Sequence, residues 1–476
     1  MATPLIWSEC IPCVTTVSNG ASVQSTNGHV NPTGKALTPV FSPSGLLIAA
    51  VVDHTTIVVR DSETFDVVSY LQIPDVPSHI EFDPTGSLLL VCIPKRSCVS
   101  VYPLQVRGST TSAASFESSA TLTESLAGVT YATWATALPT TVLVVSDFGC
   151  RMVAWDVAAD NGYEAVGLAC PKVASGLGVA SSPDGSFLGV LTRAGCKDRV
   201  LVYETRTFEE VASHELGTFN AAGMLWSPDS RHLVVWDGVT YGPRVVVLGV
   251  SPGSARVVMD KVWAAGVSGL GVRSVAWSPS GSVLAVGTYD ADVFLVNCLT
   301  WKGMDSPLHH GAMIDDKRYG SAEFEVEVFE ETSGQYVSVN LPVRLPAEDP
   351  STSMSMMIPA SGTDRLLFSS TGRFLATVCP DKPNVLWIWD ASRFELDTVM
   401  IHRRAIRDVA WQPGSDTLYL VCGTKEVFCY DDGAVTVLST GVVDERFKGL
   451  HVKWSETSHC VALSCGSGYT IGSCHV

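Results

Sequence analysis

The stretch VRSVAWSPSGSVLAVGTYDADVFLVN, from Val272 to Asn297, decides the fold of this chain. Two apolar runs flank the tetrapeptide Ser278-Pro279-Ser280-Gly281, in which proline fixes φ and glycine accepts a positive φ. Such a turn reverses the chain, so the two runs are predicted to pair as antiparallel strands. A polar turn at Tyr289-Asp290 leads to a third apolar run. The stretch therefore predicts three neighbouring strands of one sheet.

The same pattern recurs along the whole chain. Recognisable copies of the turn follow or include Phe41, Phe82, Ser182, Trp226, Trp277, Phe368 and Trp411, and degenerate copies surround Trp134 and Trp454. The interval is 41 residues from Phe41 to Phe82 and 43 from Phe368 to Trp411, which matches the roughly 40–45 residues of a four-stranded propeller blade. We count nine units and predict an all-β WD-repeat β-propeller.

The arrangement and boundaries of the units follow from the repeat. Nine units most simply form one large ring, and seven closed blades with two further units are the alternative. A β-sandwich fits a sustained period less well than radial stacking does. Residues 37–302 and 365–476 are predicted to form blades, with a flexible Ser/Thr/Ala-rich loop at 106–125. Residues 1–36 form a partly irregular N-terminal segment, and residues 303–364 form an insertion with extra strands.

Several acidic residues occupy positions typical of structural turn residues. Trp155-Asp156 and Trp389-Asp390 keep the Trp-Asp pair that ends a strand of the repeat, and Asp290 lies where a WD blade carries its turn aspartate. We interpret all of them as structural. A consistent Gly-His partner is not evident, although His402 lies roughly where one is expected.

Candidate partner-binding residues lie in turns at the same end of the predicted blades as Tyr289. Arginine and exposed aromatic side chains are typical anchors of protein interfaces. Each candidate also has an ordinary interpretation as a turn residue. The candidates are Asp53, His54, Lys95, Arg96, Arg193, Lys197, Trp236, Asp237 and Tyr289.

The composition excludes several classes of function. A formal net charge of −17 argues against broad binding to nucleic acid or anionic membranes. The chain lacks an apolar run near the ~18 residues of a membrane helix, and a signal peptide is not evident. Several of the 14 cysteines lie in apolar runs, where free thiols behave as small apolar side chains. We therefore predict a reduced, soluble, cytoplasmic protein.

Sites for metals, cofactors and catalysis are not predicted. Cys10 and Cys13 form a C-x-x-C pair without the second pair that a zinc site needs. His309-His310 with Asp315-Asp316 resembles a metal cluster, but its position in the insertion favours a solvated loop. The sequence has neither a nucleophile elbow nor a phosphate-binding loop.

Four stretches resemble the WRAP-type centrosomal WD-repeat proteins beyond the general repeat. They are HIEFDPTGSLLLVCIPKRSCVSVYPL from His79, SSPDGSFLGVLTRAGCKDRVLVYE from Ser181, MLWSPDSRHLVVWD from Met224 and the stretch from Leu270 to Trp301. The closing blades, with NVLWIWD from Asn384, continue the match, so that the resemblance covers about residues 37 to 470. The turn at Cys196-Lys197-Asp198 is among its more specific elements.

This resemblance implies a non-enzymatic scaffold at the centrosome, spindle pole or basal body. Proteins of the family that it resembles act together with a coiled-coil adaptor. Some of the resulting complexes tether a minus-end kinesin, anchor microtubules or support cilium assembly. The residues themselves leave two other functions open. One is a WD-repeat interaction platform in another intracellular complex, for example in translation initiation. The other is a propeller hydrolase that uses its central channel.

Overall fold

The structure of the chain is a computed structural model. It describes residues 5–7, 11–12, 37–53, 55–104, 120–123, 128–158, 164–251, 257–264, 269–304, 306–315, 319, 324–345, 362–440, 447–457, 459–465 and 468–474. Contacts divide the chain into two compact units. One unit is built mainly from residues 3–175 and 439–476, and the other from residues 176–204 and 209–438.

The Ser-Pro-x-Gly turns form as the sequence predicts. The N–H of Gly281 donates to the carbonyl of Ser278 at 2.9 Å, and Gly281 has a φ of 70°. In the copy at Ser227-Pro228-Asp229, Ser230 takes the glycine position with a φ of 58° and makes the equivalent bond. The turn thus joins the first two strands of a blade, and strands three and four follow in an antiparallel meander.

The first unit contains blades 1, 2, 3 and 9. The four strands of blade 9 include one supplied from the N-terminus in two pieces, Leu5–Trp7 and Ile11–Pro12, which pair with the last strand of the chain. Blade 1 is formed by Val40–Phe41, Leu47–Asp53, Thr56–Asp61 and Val67–Gln72; blade 2 by His79–Phe82, Leu88–Ile93, Cys98–Pro103 and Ala120–Thr123; blade 3 by Val129–Ala135, Leu138–Ser146, Met152–Asp156 and Glu164–Leu168; and the rest of blade 9 by His451–Trp454, Cys460–Cys465 and Gly468–Cys474.

The second unit contains blades 4 to 8. Blade 4 is formed by Val179–Ser181, Phe187–Ala194, Lys197–Glu204 and Glu210–Glu215; blade 5 by Ala221–Trp226, His232–Asp237, Arg244–Val250 and Val257–Ala264; blade 6 by Val272–Trp277, Val283–Thr288, Asp292–Asn297 and a fourth strand split into Lys302–Gly303 and Leu308–His309; blade 7 by Arg365–Phe368, Phe374–Val378, Val385–Asp390 and Glu395–Ile401; and blade 8 by Asp408–Trp411, Thr417–Val421, Glu426–Asp431 and Ala434–Ser439.

Within each unit, the apolar core lies between neighbouring blades. Strands of blades 4 and 5 bury one cluster around Leu191 and Val235, and equivalent clusters follow from blade to blade. Tryptophans of the first strands add a polar link. The indole N–H of Trp226 donates to the carbonyl of Ala180 in the preceding blade at 2.9 Å, and Trp134 and Trp411 make the same type of contact. Because both faces of a blade are covered, its strands can be apolar throughout.

The described residues therefore form nine blades, which confirms the prediction of an all-β WD-repeat β-propeller. Their arrangement in a single ring stays a prediction. Residues 120–123 of the predicted loop at 106–125 form the fourth strand of blade 2, and the remainder of that loop lies outside the described residues, as do Cys10 and Cys13. None of the helical turns in the described part of the chain is long and apolar enough to cross a membrane.

The segment 303–364 adds strands to blade 7. Strand Glu325–Glu330 pairs in parallel with Glu395–Ile401, and Gln335–Ser338 pairs antiparallel with Glu325–Glu330, so that blade 7 has six strands. A separate two-stranded ladder joins Met313–Ile314 to Val343–Arg344.

His310 corrects the prediction of a solvated His-His loop, since its side chain is buried. Its Nε2 lies 2.7 Å from the hydroxyl of Thr377, which also accepts the indole N–H of Trp389 at 3.0 Å. Its Nδ1 lies 2.7 Å from the carbonyl of Ala291, which can only accept, so Nδ1 carries the proton. Burial lowers the pKa of His310 to about 4. A neutral imidazole thus anchors the insertion to blade 7, a contact that needs residues 67 positions apart in the sequence.

Candidate protein-interaction surface

The second and third strands of each blade are joined by a turn that we call the middle turn. In an antiparallel meander, the connection that enters the first strand of a blade lies at the same end as the middle turn. In blades 4 and 5, two buried carboxylates hold that connection in place. Asp198 accepts the N–H of Ala221 at 2.6 Å, and Asp237 accepts the N–H groups of Phe219 and Asn220 at 3.0 and 2.8 Å.

An exposed pair of aromatic side chains lies at this end of blade 5, beside the connection that these hydrogen bonds hold. The rings of Phe219 and Tyr241 stack with centroids 5.0 Å apart, and the guanidinium of Arg244 lies 4.7 Å above the Phe219 ring. Arg244 also donates to the carbonyl of Gly217 at 2.6 Å. Phe219 is nevertheless 55% exposed. We call Phe219, Tyr241 and Arg244 the aromatic platform; Leu270, also exposed, follows in the connection to blade 6.

Arg193, one of the predicted binding residues, lies next to the aromatic platform. Its guanidinium donates to the side-chain oxygen of Asn220 at 3.0 Å and lies 3.5 Å from the carboxylate of Asp198. Lys197 extends from the same hairpin and pairs with Glu215 on the neighbouring strand. The structure therefore brings Arg193 to the edge of the platform, while Lys197 is engaged by its own blade.

Trp236 and Asp237 require a correction, because both are buried and neither can contact a partner directly. The ring of Trp236 packs within blade 5 against Gly223, where an added Cβ would lie 2.5 Å from the indole. Burial raises the pKa of Asp237, while the two backbone N–H donors favour its charged form. Asp237 thus positions the exposed Phe219 from behind.

Tyr289 and Asp290 lie at the middle turn of blade 6. The Tyr289 ring is partly buried beneath the guanidinium of Arg273, whose Cζ lies 5.3 Å from the ring centroid. Asp290 accepts the N–H of Leu270 at 2.6 Å, a contact to the backbone entering its own blade. His402, which lies roughly where the histidine partner of a turn aspartate is expected, is buried. Its Nε2 lies 3.2 Å from the Tyr336 hydroxyl.

The other aspartates that were predicted to be structural accept backbone hydrogen bonds in the turn after the third strand of their blade. Asp390 accepts the N–H groups of Ser392 and Arg393 at 2.8 and 3.0 Å, and Asp156 accepts that of Ala158 at 3.0 Å. Trp389 is buried and Trp155 is half-buried.

In the other unit, the middle turns of blades 2 and 3 carry basic and aromatic side chains. Lys95 and Arg96 are exposed, with nitrogens 3.8 and 3.6 Å from the carboxylate of Asp75. Phe148, in the short helical turn Asp147–Gly149, has a φ of 59° and is 97% exposed. Asp53 ends the second strand of blade 1, and His54 lies outside the described residues.

Four residues of this surface were not predicted from the sequence: Phe219, Tyr241, Arg244 and Phe148. All four lie in or beside Gly- or Pro-containing connections, for example Tyr241-Gly242-Pro243-Arg244. An aromatic residue in such a connection is the signal that would have identified them, since loops seldom bury a large ring.

This surface offers side chains that are suited to non-covalent contacts. The described part of the chain holds no group of three or more His, Cys, Asp or Glu side chains placed to bind a metal ion. Exposed aromatic rings with an adjacent guanidinium supply contact area, cation–π attraction and donors for carboxylates. These are properties of protein-binding anchors.

The fold and this surface together define a WD-repeat β-propeller, a class of protein-interaction scaffold. No family model matches the chain. The chain is 26% identical over 444 residues to the mouse (Mus musculus) WD repeat-containing protein WRAP73, covering 89% of this chain and 90% of the relative. This comparison confirms the resemblance to the WRAP-type WD-repeat proteins.

A second relative and two solved structures share a lower sequence identity with the chain. An uncharacterized WD repeat-containing protein of Schizosaccharomyces pombe is 24% identical over 288 residues, covering 59% of this chain and 55% of the relative. Among solved structures, Chaetomium thermophilum Sqt1 bound to the N-terminus of ribosomal protein L10 is 14% identical with a TM-score of 0.46, covering 84% and 95% of the two chains. The Cps50 (Swd1) β-propeller domain of Myceliophteria thermophila is 14% identical with a TM-score of 0.41, covering 88% and 98%.

Proposed function

We propose that this protein is a non-enzymatic scaffold of the centrosome, spindle pole or basal body that binds a coiled-coil adaptor. In this role it helps to anchor microtubule minus ends or supports cilium assembly, and a minus-end kinesin is a further partner of the assembly. The support for the location and the adaptor is the resemblance to the WRAP-type proteins, which extends over most of the chain.

The aromatic platform is the observation that carries the proposed binding role. A coiled-coil adaptor offers helices with an apolar stripe bordered by charged residues. Phe219 and Tyr241 provide an apolar face for such a stripe, and Arg193 and Arg244 lie where they can meet flanking carboxylates. The middle turns with Lys95 and Phe148 form a second candidate contact in the other unit.

Binding can be measured with the purified full chain and a recombinant coiled-coil adaptor of this family. Truncation of a central aromatic anchor typically costs at least about 1.4 kcal/mol, or roughly tenfold in affinity. We expect that weakening for Phe219→Ala combined with Arg244→Glu. The triple variant Lys95→Glu, Arg96→Glu, Arg193→Glu tests the predicted basic residues.

Leu299→Ala is the matched control for these variants. Leu299 is 87% exposed in the turn after the third strand of blade 6, at the opposite end of its blade from the middle turn. We expect it to bind like the wild type. Undiminished binding by both the platform variant and the triple variant would contradict the proposed surface.

The cellular location is tested separately by imaging the tagged full chain against a marker of microtubule minus ends. A focused spot at the poles or basal body is the expected result. A diffuse or ribosome-associated signal would instead favour an interaction platform in another complex.

A further inference from the structure

The added hairpin of blade 7 ends in an open sheet edge. Among the described residues, its outer strand, Gln335–Ser338, pairs only with Glu325–Glu330. The N–H of Val339 donates to the carbonyl of Val326 at 2.9 Å, which fixes that pair as hydrogen-bonded. Because bonded and non-bonded pairs alternate in an antiparallel ladder, the backbone groups of Tyr336 and Ser338 are directed to the open edge.

This edge lacks the usual protection against strand pairing. Natural edge strands are commonly blocked by lysine, proline or a bulge, and the sequence Gln-Tyr-Val-Ser contains neither residue. Its pairing with the inner strand is regular, without a register shift. Val337 is 49% exposed and Val339 is also exposed. The edge is thus able to accept a further strand.

A groove runs beside the edge. It has a volume of about 340 Å³ and is lined by Gly334, Gln335 and Tyr336 on one side and by Val435, Thr436 and Val437 of the fourth strand of blade 8 on the other. The Tyr336 ring packs against Phe329, His402 and Phe428, with centroids 5.5 to 5.9 Å apart. Its hydroxyl lies 3.2 Å from Nε2 of His402. The groove therefore has a packed aromatic wall.

The charge of the hairpin indicates the chemistry of an occupant. Residues 324–339 contain four glutamates and neither lysine nor arginine. Glu331 is neutralised by Arg403 and Arg404, at 2.9 and 3.8 Å. Glu327 is buried and accepts the hydroxyl of Ser338. Glu325 and Glu330 are exposed, and no ion pair within the described residues involves them.

We infer that the Gln335–Ser338 edge and its groove bind an extended peptide of alternating apolar and basic residues, added to blade 7 as a seventh strand. Backbone bonds to Tyr336 and Ser338 hold the peptide, its apolar side chains face the groove on the side of Tyr336, and its basic side chains lie on the opposite face of the sheet, where Glu330 is exposed. Strand addition of this kind combines affinity from the backbone with specificity from alternate side chains. The site is separate from the aromatic platform and does not depend on the proposed function.

The test uses the full chain and synthetic fluorescent peptides. A peptide of alternating valine and lysine is compared with its valine–glutamate counterpart by fluorescence anisotropy, and hydrogen exchange locates the binding. We expect the basic peptide to bind at least about tenfold more tightly, with protection confined to residues 334–340 and 434–439. Equal binding of the acidic peptide, or protection elsewhere, would overturn the inference.

Two kinds of variant test the backbone and the charge separately. Ser338→Pro removes an edge N–H and should weaken binding about tenfold. Glu330→Lys should weaken binding similarly, and Glu210→Lys, the same charge change at an exposed site in blade 4, should not.

The charge variants keep the inference testable if Ser338→Pro unfolds the hairpin, which faster exchange in residues 325–330 would reveal. Normal binding by Glu330→Lys would overturn the inference. So would a concentration-dependent dimer that Ser338→Pro abolishes, because the occupant of the edge would then be a second copy of this chain.

Discussion

Replacing Thr377 by valine isolates the hydrogen-bond chain that anchors the insertion to blade 7. Valine has nearly the same shape as threonine, so packing is kept while the hydroxyl is lost. The change leaves Nε2 of His310 and the indole N–H of Trp389 without their partner, and all three side chains are buried. Each unsatisfied buried group costs about 1–3 kcal/mol, so the free energy of unfolding should fall by roughly 4 kcal/mol.

Thr377→Ser is the matched control, because it keeps the hydroxyl and loses one methyl group, worth about 1 kcal/mol. Urea unfolding followed by tryptophan fluorescence compares the variants, and hydrogen exchange in Val385–Asp390 reports on blade 7 itself. A loss below about 1 kcal/mol for Thr377→Val, or an equal loss for both variants, would refute the role assigned to the network.

Three further predictions concern buried groups. His310 has a pKa of about 4 in the folded chain, below the ordinary value near 6.5, so that the unfolded chain binds a proton first as the pH falls. The contribution of His310 to the free energy of unfolding should be complete above pH 6.5 and fall by roughly 3 kcal/mol towards pH 4. In urea unfolding at a series of pH values, the free energy of unfolding should depend less steeply on pH for His310→Gln than for the wild type. Asp237→Ala removes the acceptor of two backbone hydrogen bonds and should cost about 1–3 kcal/mol, with faster hydrogen exchange around Phe219; exchange unchanged from the wild type would contradict its positioning role. Gly223→Ala brings a Cβ within 2.5 Å of Trp236 and should lower stability by about 1–3 kcal/mol, measured by thermal unfolding, whereas a variant as stable as the wild type would show that the ring can shift.

The repeat was predictable because its information is local. Proline at Pro279 and glycine at Gly281 specify a turn through their own backbone preferences, and apolar runs on both sides specify strands. Neither inference needs a distant residue. The same holds for Asp390, which accepts N–H groups two and three positions along the chain.

The insertion was harder to predict because its contacts are distant in the sequence. His310 is buried only because Thr377 and Trp389 supply partners from blade 7, and a pair of adjacent histidines with nearby acids otherwise favours a solvated loop. Similarly, the parallel pairing of Glu325–Glu330 with Glu395–Ile401 cannot be inferred from alternation within either strand.

The candidate surface was predicted only in part for a related reason. A turn position indicates that a side chain is near the surface, but neighbouring strands decide which way it points. Trp236 therefore packs inward, and Phe219, which was not predicted from the sequence, is exposed by carboxylate contacts from Asp198 and Asp237 to the connection around it.

The strand that completes blade 9 makes the closure of that blade a long-range event. Trp7 pairs with Gly472, 465 residues further along the chain, whereas the other three strands of the blade, between His451 and Cys474, follow one another directly. Pairing between such distant segments has to overcome the entropy of closing a long loop. We therefore expect the three consecutive strands to form first and Leu5–Trp7 to join them late in folding.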